Sequence, residues 1–128
     1  INYCKNWKIP LKSLNNIKVE KANSSYTDHV LNIGKSGNNF DIFSCLSPCI
    51  IGYGEIAYNL TKNKNWKKSK YSSWIKMYAS REYQQVAKDN INYLDHLLKK
   101  NQNIDKTKII KNFKKSTILE RNFWQCFV

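Results

Sequence analysis

Apolar residues crowd the stretch from Phe40 to Leu60, FDIFSCLSPCIIGYGEIAYNL, nearly all the way round a helical period. A helix with no polar face belongs at the centre of a fold. Upstream, Ser24 or Ser25 is the expected N-cap of a helix, SYTDHVLNIGKSG, that stops at Gly37, and Asn38 or Asn39 opens the central helix. Tyr26 precedes Gly37 by as many residues as Cys49 follows Asn38. Two antiparallel helices joined by so short a turn set Tyr26 and Cys49 at the same height. Residues 9–23, with Pro10, several Asn and no clear period, read as a connecting loop with room for one short helical turn.

Downstream, the polar run TKNKNWKKSK at residues 61–70 is a basic loop. KYSSWIKMYAS follows, with Tyr71, Trp74 and Tyr78 on one stripe and Ile75 beside them. Ser80 is the expected cap of REYQQVAKDNINYLDHLLKK, in which Tyr83, Val86, Ala87, Ile91, Leu94 and Leu98 keep a helical spacing. From about Asp105, a last helix lines up Ile109, Phe113, Ser116, Glu120, Phe123, Trp124 and Phe127. No segment alternates as a strand does, so the expected class is all-α.

Two places break the pattern. In the central run, Pro48 interrupts the helix, where it removes a donor and should kink the chain. Gly52 and Gly54 follow closely, and Cys49, Tyr53 and Glu55 stand where Leu or Ile would serve packing better. Tyr53 lies one turn beyond Cys49, roughly 6 Å along the axis, so its hydroxyl can reach a group bonded to the sulfur. From that pair alone, a buried free Cys beside a core-edge Tyr is the commoner outcome. In the last helix, Glu120 sits in an apolar stripe, where an unpaired carboxylate costs several kcal/mol. It must be partnered, protonated or at work, unless it snorkels to water or pairs with Lys115 or Arg121.

A chain of 128 residues with 41% hydrophobic and 13% aromatic content is long enough for one packed domain. Its start, INYCKNW, resembles the tail of a helix already under way, which suggests an N-terminal truncation. The net charge of +13 raises nucleic acid or an acidic membrane as partners. The lysines are spread through every segment, however, and match no nucleic-acid module, so surface composition is the simpler account. Four cysteines, at 4, 45, 49 and 126, form no CxxC pair and no zinc-type spacing with His29 or His96. Free thiols in a reducing compartment are expected, and no metal. With no signal peptide and no run of eighteen apolar residues, a cytoplasmic protein with no membrane partner is the expectation.

Three blocks carry a resemblance: SYTDHVLNIGKSGNNFDIFSCLSPCIIGYGEIA, then YSSWIKMYAS with EYQQ, then STILERNFWQ. In this order they resemble the TenA / thiaminase II family from about Tyr26 to Phe127. The resemblance implies a heme-oxygenase-like multi-helical bundle, usually a homotetramer, that acts in thiamin salvage without a cofactor. The implied reaction is aminopyrimidine hydrolysis, releasing ammonia from 4-amino-5-aminomethyl-2-methylpyrimidine to give hydroxymethylpyrimidine, with slower cleavage of thiamin. By motif, Cys49 matches the nucleophile, Tyr53 its neighbour and Glu120 the C-terminal acid. Tyr26, Tyr78 and Phe123 match substrate-binding positions. The family's essential Asp and a further tyrosine have no counterpart, because Asp28 and Asp41 lie outside that motif. Residues 1–128 are therefore expected to be a single domain of this type, its C-terminal portion, lacking the N-terminal helices. A family member that binds a pyrimidine, or regulates, without turnover is the alternative.

Overall fold

The computed structural model describes residues 2–101 and 103–127. Among them the regular elements are helices α1 (Asn2–Asn6), α2 (Lys21–Ser36), α3 (Asn39–Thr61), α4 (Ser72–Tyr78), α5 (Arg81–Lys100) and α6 (Lys106–Gln125), with 3₁₀ turns at Leu11–Asn16 and Trp66–Lys68. The all-α expectation holds. Helix α3 is the axis, with α2, α4, α5 and α6 packed against it. By length and average hydropathy α3 could also cross a membrane; in this bundle it is the core helix.

The α2–α3 hairpin forms as expected, with local reasons at each step. Asn38 Oδ1 accepts from the backbone N–H of Phe40 and Asp41, and Asp41 Oδ2 accepts from Asn38 N at 3.1 Å. This reciprocal capping box starts α3. Gly37 ends α2 in extended backbone rather than in the left-handed region. Its role is close approach, since a Cβ there would sit 2.7 Å from both Asp41 Cβ and the Ile33 carbonyl. The start of α2 departs from expectation, because the helix begins at Lys21 and neither Ser24 nor Ser25 caps it. Ser24 instead donates from inside the first turn to the Lys21 carbonyl. Residues 11–16 form the one short helical turn expected in this stretch, while residues 21–23 belong to α2 and not to the loop. Helix α3 runs through Pro48 without a break.

The buried interior is as polar as it is apolar. Phe40, Cys45, Ala57, Ile75, Ala87 and Leu119 share it with Asp41, Ser44, Ser47, Asn90, Asn112, Ser116 and Glu120. Buried polar groups must be paired, so these pairs decide which face of each helix turns inward. Asp41 accepts from Asn112 Nδ2 at 3.3 Å and from Lys108 Nζ at 2.8 Å, which fixes α6 on the start of α3. Ser47 Oγ lies 2.8 Å from Asn90 Oδ1 and 2.6 Å from the Phe43 carbonyl. One hydroxyl proton cannot serve both acceptors. With the Asn90 amide turned the other way, its N–H donates to Ser47 Oγ and the hydroxyl donates to Phe43, which spares an otherwise unpaired buried N–H.

These pairs rotate two helices away from the purely apolar registers. On α5, Asn90 is buried and Val86 and Ile91 face out. On α6, Asn112 faces in beside the expected Ser116 and leaves Phe113 exposed, while Phe127 is exposed past the end of the helix. Tyr71 is likewise exposed, standing before α4 rather than on its inner stripe. The Ser80 cap of α5 is as expected, accepting from Tyr83 N at 3.2 Å.

Two outcomes follow. Lys108 is half exposed, so its ion pair adds little, and the buried bonds of Asp41 decide its weight. Asp41→Asn turns a donor toward existing donors and should lower the unfolding free energy by about 1–3 kcal/mol, read from the urea midpoint. Second, burial, reinforced by the charge of Lys115 and opposed by a bond to the Asn112 backbone, holds the His29 imidazole below its usual 6.5. The folded chain disfavours the protonated ring, so this stability is fully present above about pH 6.5 and is lost as pH falls from there through the lower folded value. Urea midpoints measured from pH 7.5 to 5.5 should fall, and His29→Gln should flatten that slope.

Candidate active site

Cys49 and Tyr53 lie one turn apart on the inner face of α3, as their spacing requires. Glu120 reaches them from α6. Only 8% of it is exposed, and its Oε2 accepts from the Tyr53 hydroxyl at 3.2 Å. The carboxylate thus neither snorkels outward nor pairs with Lys115 or Arg121. From α2, the Tyr26 hydroxyl approaches the same region and donates to the Cys45 carbonyl at 3.5 Å. Tyr26 and Tyr53 both lie within hydrogen-bonding influence of Cys49.

The Tyr53 ring is held by aromatic edges on three sides: Tyr78 at 5.2 Å, Trp124 at 5.5 Å and Trp74 at 5.8 Å between centroids. Trp74 in turn meets Tyr78 at 4.7 Å and Trp124 at 5.5 Å. Offset and edge-on aromatic contacts of this kind fix ring orientation. Phe123 is placed differently from Tyr78. Its ring contacts are Trp124 at 6.3 Å and Phe127 at 5.2 Å, so Trp124 is the α6 aromatic that touches Tyr53.

The electrostatics follow from burial beside one acid. The Cys49 thiol is pushed up to about 11, first by burial, then by the negative charge of Glu120 and the hydrogen bond that the thiol gives it; Tyr53 and Tyr26 pull the other way. At rest Cys49 therefore holds its proton. Burial also raises the Tyr26 and Tyr53 phenols, Tyr26 further by Cys49 and Tyr53 further by Glu120. Burial raises Tyr78 and takes Tyr83 to about 12, with Cys49 the next influence on each.

The sequence and its family resemblance placed Cys49, Tyr53, Glu120, Tyr26, Tyr78 and Phe123 in one pocket; the structure brings the first five together, while the Phe123 ring meets Trp124 and Phe127 instead. Sequence reasoning missed Trp74 and Trp124 as walls, and Tyr83 and Gln84 as neighbours. Tyr83 had been counted as core; the Ser80 cap, which fixes the first turn of α5, was the available signal. Two open grooves, ≈ 350 Å³ along α5 and α6 and ≈ 940 Å³ along α2 and α6, are not lined by Cys49, Tyr53 or Tyr78. The clustered thiol, phenols and acid lie between the helices and not in either groove. Among the described residues, no three His, Cys, Asp or Glu side chains gather as a metal would need.

Known proteins resemble the chain in sequence and in fold. An aminopyrimidine aminohydrolase of Helicobacter pylori is 34% identical over 96% of the chain and 57% of its own length. One from Halalkalibacterium halodurans is 30% identical over 95% of the chain and 55% of its own length. The crystal structure of a TenA family transcription regulator from Silicibacter sp. TM1040 superposes with a TM-score of 0.88 at 30% identity, covering 98% of the chain and 57% of that protein. The chain thus spans just over half the length of these relatives. The model of the TENA/THI-4/PQQC family matches residues 1–127, so the likeness starts well before Tyr26, and the expectation of a C-terminal portion alone is not borne out by it. On that match, with the helical bundle and the clustered thiol, phenols and acid behind it, the chain belongs to the TENA/THI-4/PQQC family.

Proposed function

We propose that the chain is an aminopyrimidine aminohydrolase of the thiaminase II type, using Cys49 as a covalent catalyst to release ammonia from 4-amino-5-aminomethyl-2-methylpyrimidine. Thiamin is the slower second substrate. The observation that carries this reading is the thiol set against a buried, phenol-bound carboxylate, Tyr53 to Glu120 at 3.2 Å. Plain packing has no use for a carboxylate there. The relatives named aminopyrimidine aminohydrolase support the same class.

Each residue has a chemical task in this reading. An amine on an exocyclic methylene leaves poorly until the ring is electron-rich, and sulfur addition to a ring carbon supplies those electrons. Cys49 resists ionising alone, so Glu120, already accepting its hydrogen bond, takes the proton as the C–S bond forms. Glu120 then gives that proton to the departing amine. The C–N bond breaks, ammonia leaves, and water activated by Glu120 adds to the exocyclic methylene. The C–S bond then returns its electrons to sulfur and the thiol is regenerated. Tyr53 orients Glu120, while Tyr26, Tyr78 and Phe123 offer faces and hydroxyls to a flat heteroaromatic ring. A homotetramer in the cytoplasm accompanies this reading.

A second reading has one observation in its favour. The Silicibacter relative is described as a transcription regulator, and a thiol protonated at rest also suits a protein that holds a pyrimidine without turnover.

Cys49→Ser should abolish ammonia release with the helical circular-dichroism signal unchanged; full activity in that variant would remove the nucleophile. Glu120→Gln should slow turnover by about 10²–10⁴-fold, read as kcat. A chain that binds the aminopyrimidine in calorimetry yet releases no ammonia would select the second reading. With Cys4 and Cys126 changed to Ser, iodoacetamide labelling of Cys49 should rise about tenfold per pH unit toward about pH 11, followed by mass spectrometry.

A further inference from the structure

We propose that Gln84 is a positioning residue of this site: its side-chain amide clamps the α4–α5 corner onto α3 and thereby sets Tyr78 and Tyr83 against Cys49 and Tyr53. The proposal rests on the hydrolase reading for its kinetic consequence, though not for its geometry.

Gln84 Nε2 donates to the Gly54 carbonyl at 3.0 Å and to the Tyr78 carbonyl at 2.9 Å. An amide nitrogen has two hydrogens, and these two bonds use both. Each acceptor is telling. The Tyr78 carbonyl belongs to the last residue of α4, where the helix leaves its carbonyls without intrahelical partners. Gly54 follows Tyr53 directly in mid-helix, where its carbonyl has a second lone pair to offer. One nitrogen therefore bridges the backbones that carry two of the site's phenols, whose rings meet edge-on at 5.2 Å. Helix α4 has only seven residues, and just Ala79 and Ser80 link it to α5. Besides this bridge, the corner is held by the ring contacts and by the buried Ile75 of α4.

Gly54 makes the approach possible. A Cβ there would stand 3.2 Å from Gln84 Nε2 and 3.5 Å from the Tyr83 ring. Tyr83, brought in on the same turn, meets Tyr78 edge-on at 4.6 Å. The missing side chain at 54 is thus filled by the amide and the edge of a fourth phenol.

This geometry separates positioning from stability. Gln84→Leu keeps the bulk and removes both donors. Gly54→Ala keeps Gln84 but pushes its amide back, while replacing glycine by the best helix former should hold or raise Tm. In the Cys4→Ser, Cys126→Ser background, loosening the corner lets water reach Cys49. Labelling by iodoacetamide at pH 9 should then rise about tenfold in Gln84→Leu and about threefold in Gly54→Ala. With 4-amino-5-aminomethyl-2-methylpyrimidine as substrate, KM should rise about tenfold in Gln84→Leu with kcat within about threefold. Labelling within twofold of the parent in both variants overturns the proposal. So does faster labelling confined to Gln84→Leu and matched by a lower Tm, which makes Gln84 a fold residue only. Should the unaltered chain hydrolyse no aminopyrimidine, the hydrolase reading fails, while the labelling comparison still decides on Gln84.

Discussion

A carboxylate buried between helices needs a partner, and in this bundle the partner is a phenol on the opposite element. The bond from Tyr53 to Glu120 ties α3 to α6 at the level of Cys49. Much of the interior is consistent with that one demand. The tyrosine is locked by Tyr78, Trp74 and Trp124, so its hydroxyl has few directions available. Burial first, and then the acid beside it, account for the protonated state of the sulfur.

The electrostatic balance is one of proton ownership. Burial and a nearby negative charge keep the proton on sulfur, and two phenols lean the other way. In the proposed mechanism, a thiol already bonded to the base that takes its proton needs no reorganisation at the moment of attack, and the same arrangement would keep the sulfur quiet between turnovers. Family membership makes this chemistry a reasonable reading, and the geometry gives each participant a task within it.

The helical class, the hairpin, the Ser80 cap, the Cys49–Tyr53 pair and the shared height of Tyr26 and Cys49 were legible because periodicity and capping act locally, while Tyr78 and Glu120 joined that cluster only through the family resemblance. The inner faces of α5 and α6 were less legible. An apolar stripe places Val86, Ile91 and Phe113 inside, yet Asn90 and Asn112 occupy those positions because Ser47 and Asp41 need partners. A pairing between residues far apart in the chain leaves no periodic trace in either segment. The start of α2 was misplaced for a different reason: serine inside a first turn satisfies its own hydroxyl and so imitates a cap. Gln84 was invisible for a third, since a glutamine bonded to two backbone carbonyls looks like any exposed helix residue.

The crowded glycine between α2 and α3 acts as an indexing tooth. A helix advances about 1.5 Å and turns about 100° for each residue. One residue added or removed at positions 37–38 would swing Tyr26 to another side of α2 and out of step with the sulfur. Length variation in such a protein is therefore barred from this hairpin and is better tolerated in the lysine-rich link between α3 and α4, which no site residue uses as its ruler.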